Sequence, residues 1–534
     1  MVGGKGLIGD QLVLEGLIAD ILNEHFGEGV ELIGIALFRN GSMSFPELVK
    51  VCNLRFLGFP RDVVNRFSQF NHSGSDSMAF KLVRDSLLVL IHYGLVSFAP
   101  SSSSTTSPSQ TCMYYTLREA EVINRLSLAE FLELVEDPEE KQAMEQVLKR
   151  GRVKRSKLIE YAKGKGPVDL LLAERVLVTL EPVSSAVIGY HGSELQLGVI
   201  KKLMVRFYEA KLDQISAEVI SALLDTVRSE NQSVSGDLSV GDISSRVTID
   251  QKTSSSTSLI STLIKLQQKG YISKKQHFST TSGSEQPMAK KKRTSTARAP
   301  NIKQQLTLVA DEKDKKNDEG GMFFENLLTN DANTNTAGGP LYCLKLVDLL
   351  DEMESELCFE LVKAKFGPEA ARVYELLSSS GQKSESSHVA EICAISRESA
   401  IQHLHALAVN GLCQIQEVPK VIATGASSAA TAAGGGLSAM MRAVSSSFWL
   451  YSTDTEKARK FFITLIANSI INLRRRFRCE VNRQCKLEDR ASNLTAKEKS
   501  YLESVSGAQD VMEGSALDLV SALQVLLFRS RFAG

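Results

Sequence analysis

The chain has 534 residues, 43% of them apolar, enough for several domains with their own cores. Its 62 basic and 62 acidic residues cancel, which argues against a free-standing protein that grips duplex DNA through a broad basic surface. Eight cysteines without a CxxC pair or zinc-finger spacing, no signal-peptide pattern and no continuous apolar run of the ~20 residues needed to span a bilayer predict a soluble, intracellular protein with reduced thiols.

In chain order, Gly4-Lys5-Gly6-Leu7-Ile8-Gly9 matches GxGxxG formally, but too few residues precede it for a strand, so the dinucleotide reading fails. Leu12, Leu14, Leu17, Ile18, Ile21 and Leu22 predict a helix with one apolar face, ending before a turn at Gly27. Leu95 to Phe98 and Met113 to Thr116 read as short strands around the Ser/Thr/Pro tract at 100–110. Residues 139–163 and 166–180 read as helices separated by Gly164 and Gly166-Pro167; a finer division places helices near 139–149, 153–163 and 168–178. Residues 279–340 are poor in apolar groups and are expected to be disordered. Within them, Lys290, Lys291, Lys292 and Arg293 read as a nuclear localisation element, with a solvated charge run as the competing reading. Another low-complexity tract at 424–436 precedes Phe448, Trp449, Leu450 and Tyr451. Ile463, Ile466, Ile470, Leu473 and Phe477 alternate by threes and fours, and Leu487, Leu494 and Tyr501 continue at sevens, as in a coiled-coil seam. Gly507 and Gly514 then break the pattern, and Leu517, Val520, Leu523 and Leu527 form a last short face. An antiparallel helical hairpin is expected. Arg474, Arg475 and Arg476 read as its solvated flank or as a contact for an acidic partner.

The chain also repeats itself. Phe26-Gly27 recurs as Phe366-Gly367, and Ile33, Leu37, Gly41 and Val49 answer to Val373, Leu377, Gly381 and Val389. Leu-x-x-Leu-x-x-x-Gly followed by an apolar pair occurs at Leu87, Leu90 and Gly94, at Leu263, Leu266 and Gly270, and at Leu404, Leu407 and Gly411. The leucines share one helix face, the glycine stops the helix, and a strand begins after it, as in the last helix and wing of a winged helix. The fold expected is mainly α, built of α+β modules: tandem winged helices followed by a C-terminal coiled-coil hairpin. The boundaries are 1–118 with a Ser-rich wing, 119–195 without the glycine stop, 196–345 with the insert at 279–340, 346–453 with an insert at 421–440, and 454–534 for the hairpin.

No constellation for catalysis or metal binding stands out. There is no GxxxxGK[ST] stretch, His403 and His405 fall on nearly opposite helix faces, and His25 and His92 read as packing residues. Carboxylates are scattered, so no enzyme and no cofactor is expected. On the outer face of the predicted third helices, Lys81, Arg84 and Lys265 are candidates for facing nucleic acid through phosphates; a merely solubilising face is the alternative.

Asn23-Glu24-His25-Phe26-Gly27-Glu28 with Glu31-Leu32-Ile33-Gly34, and Lys365-Phe366-Gly367 with Gln416-Glu417-Val418-Pro419-Lys420, resemble the large winged-helix subunit of the RNA polymerase III initiation heterotrimer. The resemblance implies a nuclear, non-catalytic polymerase subunit seated on the clamp with two smaller partner subunits. It implies contact with promoter-bound initiation factor IIIB and help in opening DNA at genes for small structured RNAs. DNA contact would then be single-stranded or non-specific, with no membrane involved. The Ser-rich tract at 100–110 and the stretch at 421–440 depart from the family pattern. A winged-helix scaffold of another large assembly, of the proteasome-lid or translation-factor type, is the alternative.

Overall fold

A computed structural model describes residues 5–56, 75–100, 112–174, 176–179, 187–190, 192–227, 237–247, 256–275, 341–419, 447–490 and 494–532. The chain is largely α-helical with small antiparallel sheets. It divides into two compact units, one of Met1–Lys211, Arg228–Val234 and Leu346–Gly534, the other of Leu212–Val227 and Ser235–Lys345.

One succession of elements recurs throughout: helix, short strand, helix, helix, strand, strand. In the larger unit, α1 (Lys5–Phe26) precedes the first occurrence, made of α2 (Glu28–Asn40), β1 (Met43–Ser44), α3 (Phe45–Phe56), α4 (Ser75–His92), β2 (Val96–Pro100) and β3 (Met113–Leu117). A connector of α5 (Glu119–Ile123), a 3-10 turn (Asn124–Ser127) and α6 (Leu128–Glu133) leads to the second. That comprises α7 (Pro138–Arg150), β4 (Val153–Lys154), α8 (Arg155–Tyr161), α9 (Gly166–Ala173), β5 (Leu177–Thr179) and β6 (Val187–Tyr190), before α10 (Gly192–Lys211). The smaller unit holds the third: α11 (Gln214–Leu224), β7 (Asp237–Ser239), α12 (Val240–Arg246), α13 (Ser256–Gln268), β8 (Ile272–Lys275) and β9 (Leu341–Leu344). Back in the larger unit, α14 (Leu346–Phe366) enters the fourth, of α15 (Pro368–Ser380), β10 (Ser384–Glu385), α16 (Ser386–Ile392), α17 (Arg397–Val409), β11 (Gln414–Pro419) and β12 (Ser447–Ser452). The chain then forms α18 (Thr455–Glu488) and α19 (Ala496–Phe532). Each sheet has the same order: its last strand lies between the first and second.

The repeated Leu-x-x-Leu-x-x-x-Gly has one geometry. Gly94, Gly270 and Gly411 take φ of 72°, 84° and 78°, a region in which a β-carbon would be strained. The amide after each glycine returns to the carbonyl of the second leucine: Leu95 to Leu90 at 2.9 Å, Tyr271 to Leu266 at 3.0 Å, and Leu412 to Leu407 at 2.9 Å. The glycine amides bond one residue further on, at Ile91, Gln267 and Ala408, which completes a Schellman cap. Both leucines of every copy are at most 4% exposed, so each joint turns the helix into the strand and anchors it in the core. Fully burying each leucine is worth roughly 1.5–3 kcal/mol. The second occurrence lacks this stop: α9 ends at Ala173, with Glu174 still in the right-handed region.

The offset of 340 also reflects shared geometry. Gly27 and Gly367 begin their helices with φ of 88° and 91°, while Ile33, Val373, Leu37 and Leu377 are at most 1% exposed. Hairpin pairing continues to Pro100↔Met113, Lys275↔Leu341 and Pro419↔Ser447. The tracts at 101–111, 276–340 and 420–446 therefore leave and rejoin between paired strands. These tracts, with Lys290, Lys291, Lys292 and Arg293, lie outside the described residues.

Several local expectations change. Residues 139–163 are not one helix: Gly151, at φ 75°, closes α7, and β4 intervenes before α8. The segment read as helix to 180 turns to strand at Leu177, where a β-branched stretch of Val176, Val178 and Thr179 favours pairing with β6. Leu12 is 57% exposed and leaves the apolar face formed by Leu17, Ile18, Ile21 and Leu22. Gly507 and Gly514 do not interrupt the C-terminal helix; α19 runs through both, since a helical glycine costs only about 1 kcal/mol. In α18 the buried set is Ala458, Arg459, Phe462, Ile466, Ala467, Ile470, Ile471 and Leu487; over 458–471 it is a wider stripe than a two-position seam. The stripe is wide because α18 packs against α1 and α14 as well as α19. Part of α19 is also long and apolar enough, by length and composition, to cross a membrane. Here Leu523 and Leu526 from that stretch are buried in the same core as Ile470.

Candidate functional site

The outward faces of the third helices come first, because Lys81, Arg84 and Lys265 lie there. In α4, Val83, Leu87 and Leu90 point into the core, leaving Lys81, Arg84, Asp85 and Leu88 on the outside. Arg84 donates from Nε to Asp85 Oδ1 at 2.9 Å, so its charge is largely balanced locally. Phe80 and Leu88, 48% and 57% exposed, flank it. The equivalent face of α17 shows Ile401 and Val409, and that of α9 shows Leu170, all exposed. Lys265 of α13, in the smaller unit, is exposed among Gln267, Gln268 and Lys269. The described third helices thus do not share a basic stripe; three of them present an exposed large apolar side chain, which suits protein contact better than phosphate contact.

The basic run in the hairpin meets an acidic partner within the chain itself. Arg474 and Arg478 form ion pairs with Asp20 and Glu24 of α1, while Arg475 and Arg476 remain exposed. His403 lies 3.1 Å from Glu369, which also accepts from Ser399 Oγ at 2.8 Å; the two side chains hold Glu369 below the usual carboxylate range. His405 is exposed. Among the described residues, three or more His, Cys, Asp or Glu side chains do not gather in a metal-binding arrangement.

The most specialised arrangement joins the first two repeats. A helix leaves its last carbonyls without intrahelical partners. At the C-terminus of α7 three of them receive side-chain donors from outside: Leu148 O from Arg125 Nη1 at 2.8 Å, Lys149 O from Tyr93 Oη at 2.9 Å, and Arg150 O from His92 Nε2 at 2.7 Å. Since a carbonyl can only accept, the His92 tautomer carries its proton on Nε2. Arg125 is 4% exposed, and its guanidinium stands 5.7, 4.8 and 5.4 Å from the ring centroids of Phe26, Tyr93 and Tyr190. Among the described residues its Nε and Nη2 have no hydrogen-bond partner, and the aromatic faces and the negative end of α7 offset this buried charge.

Beside this joint is a cleft of about 390 Å³, within the size range of ligand sites. Val96, Ser97 and Phe98 of β2 form one wall; Arg152, Val178, Gly189 and Tyr190 form another. Arg118 and Glu121 close one side. The Glu121 carboxylate occupies the space where a Gly192 side chain would be, at the first residue of α10, so the helix N-terminus offsets its charge. Arg118 and Arg152 have no ion pair among the described residues. Sequence reasoning did not find this place. Arg125 lies among residues distant in sequence, and the only local signals were the adjacent His92-Tyr93 and the glycine at 94.

No known protein-family model matches the chain, and no curated protein matches it.

Proposed function

We propose that the chain is a non-catalytic array of winged helices closed by a helical hairpin, serving as a scaffold subunit of RNA polymerase III during initiation. The observation that carries the scaffold reading is the recurrence, four times, of one helix and strand order with one sheet order. That recurrence supports reading each module as a winged helix, which is used for both DNA and protein docking. The polymerase assignment rests on the resemblance of the blocks around Phe26-Gly27 and Phe366-Gly367. In this reading two smaller subunits, the polymerase clamp and promoter-bound initiation factor IIIB dock on the modules, in the nucleus. Balanced charge and exposed apolar residues on the third helices support docking as their main use. Lys81, Arg84 and Lys265 would contact DNA phosphates without reading sequence, and Lys290 to Arg293 would serve nuclear import.

Affinity purification of the tagged chain with mass spectrometry tests the assignment. Polymerase III catalytic subunits are expected; proteasome or translation-factor subunits in their place would reject it. Reversing Lys81, Arg84 and Lys265 together should weaken crosslinking to promoter DNA in the assembled enzyme, and unchanged crosslinking would remove these residues from the proposal.

A further inference from the structure

We infer that the second repeat carries a docking surface for the phosphodiester backbone of a nucleic-acid double helix, at β4, α8 and the turn into α9. This surface is separate from Lys81, Arg84 and Lys265, and it does not depend on which assembly the chain belongs to. The balanced charge of the whole chain conceals a local excess. Of the seventeen residues from Lys149 to Lys165, eight are basic and one, Glu160, is acidic. Three of the eight are engaged within the fold: Lys149 pairs with Glu145, Arg155 pairs with Asp169, and the Arg150 guanidinium stands 5.1 Å from the Tyr161 ring centroid. Arg152 lines the cleft. Lys154, Lys157, Lys163 and Lys165 are exposed and have no ion pair among the described residues. The Arg155–Asp169 pair ties the start of α8 to the first turn of α9. Lys157 and Lys163 are only about 9 Å apart at helical rise, so the four ammonium groups belong to one patch.

The fold itself does not require this charge. The same elements of the fourth repeat, from Ser384 to Ser396, carry two glutamates and neither lysine nor arginine. Lys163 and Ala394 make the same turn, with φ of 54° and 53°, so alanine serves the backbone there as well as lysine does. Concentrating like charges costs stability through self-repulsion, and a polyanion relieves it. Composition then selects the polyanion. Lysine is depleted in protein–protein interfaces, whereas exposed ammonium groups suit phosphates contacted without reading sequence. Unpaired bases need aromatic side chains to stack on. Tyr161 is the only aromatic residue of the segment, and it is half-buried with Arg150 over its ring. The patch therefore offers charge for a backbone but no platform for single-stranded bases.

The test uses the full chain and a fluorescein-labelled DNA duplex of about 20 base pairs, read by fluorescence anisotropy, with an RNA duplex of the same sequence in parallel. Saturable binding of at least one duplex is expected, and the tighter of the two names the source. Four phosphate contacts predict a loss of roughly 150-fold in affinity between about 50 and 200 mM salt. Lys154→Glu with Lys157→Glu and Lys163→Glu should weaken binding at least about tenfold. The same variant should flatten the slope of log affinity against log salt by about 3, which a loosened fold alone would not do. Should charge reversal lower the melting temperature, glutamine at the three positions is read instead. No saturable binding of either duplex at about 50 mM salt, or an unchanged salt slope in the variant, would overturn the inference. So would tighter binding of an oligothymidylate than of either duplex, or displacement of the duplex by a polyglutamate of equal charge at lower concentration.

Discussion

Replacing Arg459 by Met tests how the hairpin is held to the fourth repeat. Arg459 and Glu354 are 6% and 8% exposed, and two parallel bonds of 2.7 and 3.0 Å join α18 to α14. At an effective dielectric near 20, opposite charges this close attract by about 4 kcal/mol, while desolvation costs several kcal/mol per ion. The intact pair therefore contributes little net stability, but Arg459→Met leaves Glu354 desolvated without its partner. The expected loss is about 3–5 kcal/mol at pH 8. Glu354→Leu with Arg459→Met should recover most of it, because both desolvation costs vanish together. Urea denaturation at pH 8 measures both variants. A deficit below about 1 kcal/mol at pH 8, or a double variant as unstable as the single one, would refute the reasoning.

Gly411→Ala should cost about 1–2 kcal/mol in thermal or urea melts, through φ alone, since nothing lies within 4 Å of the added carbon. The opposite change, Ala394→Gly, should gain up to about 1 kcal/mol, because Ala394 already sits at φ 53° at the end of α16. Burial raises the pKa of Glu130, which accepts from Ser521 Oγ at 2.6 Å. A raised folded-state pKa favours the fold below the unfolded pKa, and that contribution disappears as pH rises through the folded value. Glu130→Gln should therefore stabilise the chain more at pH 8 than at pH 5 in paired melts. Reversing Arg474 to Glu should destabilise by about 1 kcal/mol or less, with the loss shrinking as salt is raised; a salt-independent loss would discount the pairing with Asp20 and Glu24.

Local physics was legible along the chain. Leu-x-x-Leu-x-x-x-Gly contains everything its joint needs: two leucines on one face, a residue free to take positive φ, and an apolar residue to close the cap. The Phe-Gly helix starts, the strands at Val96 and Met113, and the placing of the Ser-rich tracts after strands could be read for the same reason: short-range geometry decides them. Where two weak local preferences competed, packing chose. Gly507 and Gly514 stayed in one helix, and Leu177 to Thr179 became a strand because β6 was there to pair with it.

The candidate site was not legible, because it is made of distant pieces. Arg125 gains its meaning from Phe26, Tyr93, Leu148 and Tyr190, none of which its own neighbours predict. The basic run at Arg474 shows the same division. Its charge was plain in the sequence, yet only the packing of α18 on α1 set Asp20 and Glu24 opposite it. The glycine caps at Gly94, Gly270 and Gly411, the apolar helix faces and the repeat of one module could be read along the chain, since they depend on residues a few positions apart. Which charges are buried and which carbonyls are capped could not, since those depend on what the remainder of the chain brings to them.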